Sequence, residues 1–331
     1  LVRDAESVLK DVSHVVVSGA SPVIRAVLEL ASRYDFSVGI IPLPFQKDLA
    51  RTYALPGDRD QAIALSLRQA TCRVRLIRCG DTVVLTKAVI GRLPMLDAAQ
   101  DTGRWGMVVQ AVKKFVGLRL LPFRFFTAGG QKVRTAACGC VVVPYPVGNR
   151  AVRKIQRYVA AGDSLVTVVI SSPSSIVRYL HFLSQILALF ARKPRQLPST
   201  LGFIKSSSID IESDADLSVT IDDGATAEVP VRFEALPGRV RLNLRQRFLD
   251  ENRRAGAAGE KLNIRSLPRG KDELSKACKK KIPFFPYASE ERFRELFTAL
   301  RDDASTSSTY VALMILSTAL ATIGLYQDSA A

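Results

Sequence analysis

Residues 14–41 read HVVVSGASPVIRAVLELASRYDFSVGII, and this stretch decides the fold class. The apolar run His14–Val17 predicts a buried strand, and the apolar spacing over Val23–Tyr34 predicts an amphipathic helix. A second apolar run, Ser37–Ile41, predicts another strand. Because a helical crossover joins parallel strands, the stretch predicts half of a parallel-sheet α/β domain.

The chain from residue 59 to residue 245 is mostly β in pattern. Short apolar runs such as CRVRLI and TAACGCVVV alternate with Gly, Pro, Asp and Asn turns, which predicts an all-β sandwich lobe. Two helical insertions are predicted within it, at 107–115 and 175–191, and the second is expected to pack on the sheet because Arg178 and His181 interrupt it. The predicted domains are a partial α/β lobe (1–58), the β-sandwich lobe (59–245), a charged linker (246–285), a juxtamembrane helix (286–308) and the start of a transmembrane domain (309–331).

The C-terminal region carries no charged residue from position 304 to position 327. Thr309–Tyr326 reads TYVALMILSTALATIGLY, and about 20 such residues cross a hydrocarbon core of about 30 Å. A buried C-terminal helix is the alternative, but the chain stops at Ala331 without a docking segment, so a membrane-entering helix is favoured. The Arg and Lys residues of 239–301 predict that residues 1–300 lie on the cytoplasmic side of the inner membrane. Since Leu1 opens directly into a domain-like pattern, the start is expected to be truncated.

Charge and cysteine content narrow the function classes. The 47 Lys and Arg exceed the 31 Asp and Glu by 16, which indicates an anionic partner: nucleic acid, a phosphorylated ligand or an anionic membrane leaflet. Five cysteines without zinc-ribbon or CxxC spacing, together with only two histidines, make a transition-metal cage unexpected. The cysteines are interpreted as reduced, partly buried thiols.

The turn Ser18-Gly19-Ala20-Ser21-Pro22 lies where a nucleotide loop would lie in such a fold, after a strand and before a helix. Phosphoryl transfer needs backbone amides around the phosphates, a carboxylate for Mg²⁺, and a base near the acceptor hydroxyl. We therefore expect residues of these types in and near this turn.

The order VVVSGASPVIRAVLELA, FSVGIIPLPFQKDLART, QAIALSL and a strand-rich tail resembles the diacylglycerol kinase and sphingosine kinase family of lipid kinases. That resemblance implies a lipid-kinase-like nucleotide-binding lobe, with ATP and Mg²⁺ as cofactors. The Gly-Gly-Asp-Gly-Thr loop of the family corresponds to 18–22, and its Pro-Leu-Gly-Thr-x-Asn-Asp-Phe-Ala stretch to 42–50. The nucleotide-binding candidates are Ser18, Gly19, Ser21, Lys47 and Asp48, and Asp48 is also the candidate metal ligand.

The chain departs from the family where the chemistry needs carboxylates. Ala20 stands at the acidic position of the loop, and Pro22 replaces its last hydroxyl and removes an amide donor. The Asp-Gly-x-Leu stretch corresponds to 162–165 with its acid displaced to Asp163, and the closing Asp-Gly-Glu corresponds to Asp223 and the two residues after it, with Ala225 in place of the glutamate. Asp163 and Asp223 are the catalytic candidates, and the prediction is a catalytically impaired relative. The alternative role for Asp48, Asp163, Asp222 and Asp223 is turn capping.

Residues 286–331 resemble the beginning of an uncharacterised bacterial membrane family, domain of unknown function 389. Three hypotheses stay open: a regulatory module that senses a nucleotide, phosphate or lipid headgroup for an attached membrane domain; a working kinase for a diacylglycerol-like lipid that uses Asp48 with Asp163 or Asp223; and nucleic-acid binding. The last is disfavoured because no nucleic-acid module is recognisable. The basic cluster 265–281 predicts contact with anionic lipid headgroups.

Overall fold

The computed structural model describes residues 12–68, 71–92, 119–144, 165–173, 200–222, 224–245, 260–264 and 308–326, with isolated positions elsewhere. The chain forms two compact units, Leu1–Pro286 and Tyr287–Ala331. The predicted insertion 107–115, nearly all of 175–191, nearly all of the juxtamembrane helix 286–308 and most of the basic cluster 265–281 lie outside the described residues.

The first unit begins with the predicted strand–helix–strand pattern. Its elements are β1 (His14–Val17), α1 (Ser21–Tyr34), β2 (Ser37–Ile40), α2 (Lys47–Thr52) and α3 (Arg59–Ser66). The two strands pair in parallel with His14 beside Ser37, which confirms the predicted parallel pair. The 14-residue α1 starts two residues earlier than predicted, because Pro22 is well suited to the first turn of a helix.

Thirteen further strands lie in the described part of this unit. They are β3 (Cys72–Cys79), β4 (Thr82–Val84), β5 (Ala88–Gly91), β6 (Leu121–Thr127), β7 (Lys132–Ala137), β8 (Gly139–Val143), β9 (Val166–Ser171), β10 (Leu201–Ser206), β11 (Ser208–Ser213), β12 (Ser218–Ile221), β13 (Ala225–Glu228), β14 (Val231–Leu242) and β15 (Lys261–Asn263). The first sheet has the order β1-β2-β14-β11-β6-β7, with β3 on β14 and β4 on β3, and the second has the order β13-β12-β5-β8-β9-β10-β15. The described fold is therefore mixed α/β with two sheets.

Strand β14 belongs to both halves of the first sheet. Its residues 231–234 pair with β11, whereas Arg241 and Leu242 pair in parallel with β2, and β3 runs beside both parts. The sequence interpretation placed β3 and β14 in the sandwich alone. The structure differs because two strands make a sheet too small to cover α1, so the later strands complete it.

Two hydrophobic cores follow from this arrangement. One lies within the sandwich and includes the fully buried Phe125 and Phe233. The other lies under α1 and includes Ile24 and Leu28, which face β14 and β2. Burial of each such side chain contributes about 1.5–3 kcal/mol, so α1 is held by its apolar face. Strand β3 contacts both cores, since Leu76 enters the second and Ile77 the first.

The cysteines of the chain are not cross-linked. All five cysteines are free, and four are buried. Burial raises the pKa of the Cys79 thiol to about 11 and that of Cys138 to about 12, so these thiols stay protonated at neutral pH.

In the segment predicted as a linker, β15 pairs antiparallel with β10, and Leu267 is buried in the sandwich core.

The second unit contains α4 (Ser308–Tyr326), a helix of 19 residues. Its large apolar side chains between Val311 and Tyr326 are exposed. Within the described part of the chain, no helix meets the length and hydropathy expected of a membrane span.

Lys205 is a charged side chain inside the sandwich lobe. It lies on β10 between Thr167 of β9 and Lys261 of β15, and it is 1% exposed. Burial lowers the pKa of Lys205 to about 8, and the charge of Lys261 adds to the effect. Between about pH 8 and 10.4, the ordinary lysine value, the unfolded chain binds this proton more strongly than the folded chain does. Lys205 therefore costs stability at neutral pH, and that cost fades as the pH rises through this window.

We expect Lys205→Met to raise the free energy of unfolding at pH 7 by about 1–3 kcal/mol, because the variant removes a buried charge and keeps a long side chain. The gain should shrink at pH 9.5. Urea unfolding at the two pH values measures it, with the exposed Lys132→Met as the control. An equal gain at both pH values would contradict the interpretation.

Candidate ligand-binding cleft

The two motif loops meet at the carboxyl ends of β1 and β2. Gln46, which is 5% exposed, donates from Nε2 to the carbonyl oxygen of Gly19 over 3.0 Å. Its Oε1 accepts from the amide of Leu43, also over 3.0 Å. The structure thus brings together the two loops that supplied the candidate nucleotide-binding residues. Gln46 itself was missed because it occupies the variable position of the motif.

The loop after β1 packs tightly on α1. A Cβ at Gly19 would lie 3.3 Å from Cβ of Val23, closer than ordinary contact, so the loop approaches the helix here. Ala20 is the N-cap residue; it has extended backbone and its side chain makes no capping bond. Ser18 is exposed and Ser21 is buried. The first turn of α1 has no acidic residue, so nothing in it opposes an incoming anion.

The loop after β2 presents apolar groups and a lysine. Pro44 is exposed and Phe45 is 70% exposed, at the positions where the resemblance implies glycine and threonine. Lys47 begins α2 and is exposed. The loop therefore offers a cation beside an apolar surface.

Asp48 is held by two cations of the chain. Its Oδ2 lies 3.0 Å from Nζ of Lys87, which stands in the connection between β4 and β5. Its Oδ1 lies 3.8 Å from NH1 of Arg51, one turn along α2. The partner Lys87 had no sequence signal, because a single lysine in a turn is ordinary.

Asp222 organises the β4–β5 connection that supplies Lys87 to Asp48. Its Oδ1 accepts from the Thr86 amide at 2.7 Å, the Thr86 hydroxyl at 2.9 Å and the Lys87 amide at 3.2 Å. Its Oδ2 accepts from the Leu85 amide and from NH2 of Arg25, both at 3.0 Å. The Asp222 amide donates in turn to the carbonyl of Lys87 over 2.8 Å. One carboxylate thus joins α1, the β4–β5 connection and the end of β12.

This carboxylate is buried and fully hydrogen-bonded. The side chain of Asp222 is 1% exposed and that of Arg25 is 12% exposed. Such a pair is tolerated in the interior when further hydrogen bonds support it, and here the amides of Leu85, Thr86 and Lys87 donate to the carboxylate. Asp222 also adopts a left-handed backbone, at φ 50°, which aims its carboxylate back at the turn. Burial, followed by the charge of Asp222, raises the pKa of the enclosed Tyr53, which stays a neutral phenol.

The sequence named Asp222 only as a turn residue, and the structure gives it this larger role. The two catalytic candidates, Asp163 and Asp223, lie outside the described residues. The described candidates are Ser18, Gly19, Ser21, Lys47 and Asp48. They lie in the loop after β1 or in the first residues of α1 and α2.

The described residues do not fit a Mg²⁺ ion. Mg²⁺ in such sites takes one or two carboxylates together with substrate phosphates and waters. The Asp48 carboxylate faces two cations, and both oxygens of Asp222 are taken by donors from the chain. Among the residues that the structure describes, no group of three or more His, Cys, Asp or Glu side chains converges.

Comparison with solved structures agrees with this arrangement of lobes. Three chains from Bacillus anthracis str. Sterne are similar, one described as a diacylglycerol kinase and two provisionally so. One provisional chain aligns with a TM-score of 0.54 at 13% identity, covering 74% of this chain and 82% of its own length. The chain described outright as a diacylglycerol kinase aligns with a TM-score of 0.51 at 14% identity, covering 75% and 82%. The protein therefore has a diacylglycerol kinase-like fold.

No protein-family model matches the sequence, and no curated protein is significantly similar to it. The predicted likeness of residues 286–331 to domain of unknown function 389 stays a prediction. At 13–14% identity the solved structures show the fold alone, so the chemistry must be argued from the cleft.

Proposed function

We propose that this protein is a non-catalytic ligand-sensing module on a lipid-kinase-like fold, and that it binds a phosphate-bearing ligand, with a nucleotide as the first candidate, without Mg²⁺. The attached membrane part would read out the binding. The observation that carries the proposal is the internal neutralisation of the described carboxylates, with Asp48 against Lys87 and Asp222 against Arg25, each at 3.0 Å.

Loss of catalysis follows from that neutralisation. A kinase of this kind needs a carboxylate free to hold the metal that bridges the phosphates. Here the loop has Ala20 at its acidic position, and the Asp48 carboxylate is paired with Lys87 and lies near Arg51. These two cations oppose the approach of a metal ion to Asp48.

The excess of cations over carboxylates at the cleft supports the binding of phosphate. The groups at the cleft include the cations Arg25, Lys47, Arg51 and Lys87 and only two described carboxylates, those of Asp48 and Asp222. Nε of Arg25 is buried and has no hydrogen-bond acceptor among the described residues. A cation excess beside a helix N-terminus suits an anion directly, without a metal as intermediary.

The test is a thermal-shift titration of the full chain with ATP, ADP and inorganic phosphate, each with EDTA or with Mg²⁺, and then a radiolabel transfer assay to diacylglycerol in mixed micelles. We expect a nucleotide shift that does not need Mg²⁺, and no transfer. At a ligand concentration of 100 times Kd the added stability is about 2.7 kcal/mol. A Mg²⁺-dependent shift with transfer would establish the working-kinase alternative, and no shift with any ligand would contradict ligand sensing.

A variant pair at position 20 sharpens this test. Ala20→Asp and Ala20→Asn should both cap α1, because the N-cap backbone is already extended, and each should add about 0.5–2 kcal/mol. Only Ala20→Asp adds a carboxylate. We therefore expect Mg²⁺ to alter nucleotide affinity in Ala20→Asp alone, which would show that position 20 faces the ligand. The same Mg²⁺ response in both variants would contradict that placement.

We further propose that α4 holds the protein at the cytoplasmic face of the inner membrane. The support is its row of exposed apolar side chains between Val311 and Tyr326 and the absence of charged residues from 304 to 327. Fractionation of the full chain after an alkaline carbonate wash tests this, and recovery in the soluble fraction would contradict it.

A further inference from the structure

The side of the first sheet that faces away from α1 carries several arginines. Inward residues of β1, β2, β3 and β14 pack into the core under α1, so their neighbours along each strand point to the other side. Those on the other side are His14 and Val16 of β1, Ser37 and Gly39 of β2, Arg73 and Arg75 of β3, and Arg241 of β14.

The strand register places like charges opposite each other. Arg73 pairs with Arg241 across β3 and β14. Like charges directly opposite in an antiparallel pair are destabilising. Arg241 is partly compensated, because its Nε lies 3.4 Å from Oδ1 of Asp35, while Arg73 is exposed. A sheet with such a like-charge pair is stabilised when an anion from outside the chain binds there.

The other half of the same sheet shows the contrasting arrangement. There Arg78 pairs with Glu234, Arg232 lies 3.6 Å from Asp210, and Arg124 lies 3.2 Å from Glu212. Each of these three arginines is neutralised by an acid of a neighbouring strand, although Arg124 also lies opposite Arg134 across β6 and β7. In the half that contains β1 and β2, Arg241 is paired with Asp35.

Apolar side chains accompany these arginines. The carbonyl of Ser66 accepts from Nε2 of His14 at 2.8 Å and from Nδ2 of Asn243 at 2.7 Å, so the end of α3 lies over the same side of the sheet. The next two residues, Leu67 and Arg68, are exposed, with Leu67 at 64%. We call Val16, Leu67, Arg68, Arg73 and Arg241 the arginine face.

We propose that the arginine face docks on the anionic headgroups of a lipid bilayer. Arginines satisfy the charge of the headgroups, and exposed Leu67 and Val16 suit the boundary between headgroups and acyl chains. A nucleic acid would use the same cations but would gain nothing from exposed aliphatic groups, and the described face has no aromatic side chain for base stacking. The net charge of +16 acts in the same direction. This surface is separate from the cleft, so it stands whatever the cleft binds.

The experiment compares binding of the full chain to vesicles of phosphatidylcholine with 25% phosphatidylglycerol and to vesicles of phosphatidylcholine alone. Any contribution of α4 is present in the binding constants for both kinds of vesicle. The ratio of the two constants therefore isolates the electrostatic part of the binding. Arg68→Gln/Arg73→Gln is compared with Arg124→Gln/Arg232→Gln, which removes the same charge from two arginines that acids of neighbouring strands neutralise. At about 1 kcal/mol for each cation near the surface, the first pair should lower the ratio by about 10- to 30-fold and the control by less than about 3-fold.

Two further measurements keep the result interpretable. Arg73→Lys keeps the charge and should keep the ratio. The melting temperature of Arg68→Gln/Arg73→Gln should be unchanged or higher, because a like-charge pair is relieved, and this excludes misfolding as the cause of lost binding. An equal effect of both double variants, or no effect of either, would overturn the proposal. So would a duplex RNA that binds the arginine face more tightly than the vesicles at equal ionic strength.

Discussion

Gly39→Ala is expected to lower the free energy of unfolding by about 2–3 kcal/mol, the upper part of the range for overpacking. A Cβ at Gly39 would lie 2.5 Å from the carbonyl oxygen of Ser66 and 2.7 Å from its Cβ. Because the nearest atom is backbone, the end of α3 must move away from β2. That movement would also weaken the hydrogen bonds that His14 and Asn243 make to the same carbonyl.

Gly57→Ala is the matched control for this prediction. Gly57 is exposed, and no heavy atom lies within 4 Å of the position of its added Cβ. Its replacement should change the free energy of unfolding little, or raise it by about 0.4–1 kcal/mol by restricting the unfolded chain. Urea unfolding of both variants decides the matter, and equal values for the two would show that α3 does not press on β2.

The elements that could be predicted are those whose signal is local. The apolar spacing of His14–Val17 and the helix after it is complete within a few residues, so the strand–helix–strand unit and its parallel pairing followed from the sequence. The start of α1 was missed by two residues, since proline was interpreted as part of the loop rather than of the first turn.

The role of β14 could not be predicted, because it depends on pairing between distant parts of the chain. The pairs Arg241 with Ser37 and Arg73 with Arg241 join residues that lie far apart in sequence. Alternating patterns identify a strand but do not select its neighbours. The β14 segment therefore read as one more sandwich strand, although it also completes the α/β sheet.

The cleft also contains features with a local sequence signal and features that depend on long-range contacts. The two loops followed from their motif positions, and the structure joins them through Gln46. The pairing of Asp222 with Arg25 spans 197 positions, and that of Asp48 with Lys87 spans 39, so neither leaves a local pattern. The carboxylates could be found as candidates. Their neutralisation, which changes the functional interpretation, needed the fold.

Asp222→Ala is expected to have the largest effect of all, a loss of about 3–5 kcal/mol in the free energy of unfolding. The change would leave the buried Arg25 guanidinium without its counter-ion and would remove the acceptor for the amides of Leu85, Thr86 and Lys87. Hydrogen exchange should rise first at those three amides. Asp214→Ala, whose side chain is 62% exposed beside Arg124, is the control and should cost less than about 1 kcal/mol.

Asp222→Asn separates a structural role from a catalytic one. Asparagine tolerates the left-handed backbone of Asp222 and keeps one acceptor oxygen, so the variant should lose less stability than Asp222→Ala and stay folded. Because the variant removes the counter-ion of Arg25 and so increases the cation excess at the cleft, we expect nucleotide binding by the folded variant to be kept or strengthened. If the full chain showed lipid phosphorylation that Asp222→Asn abolished while remaining folded, Asp222 would be a catalytic group, and the cleft would have to open during turnover to expose it.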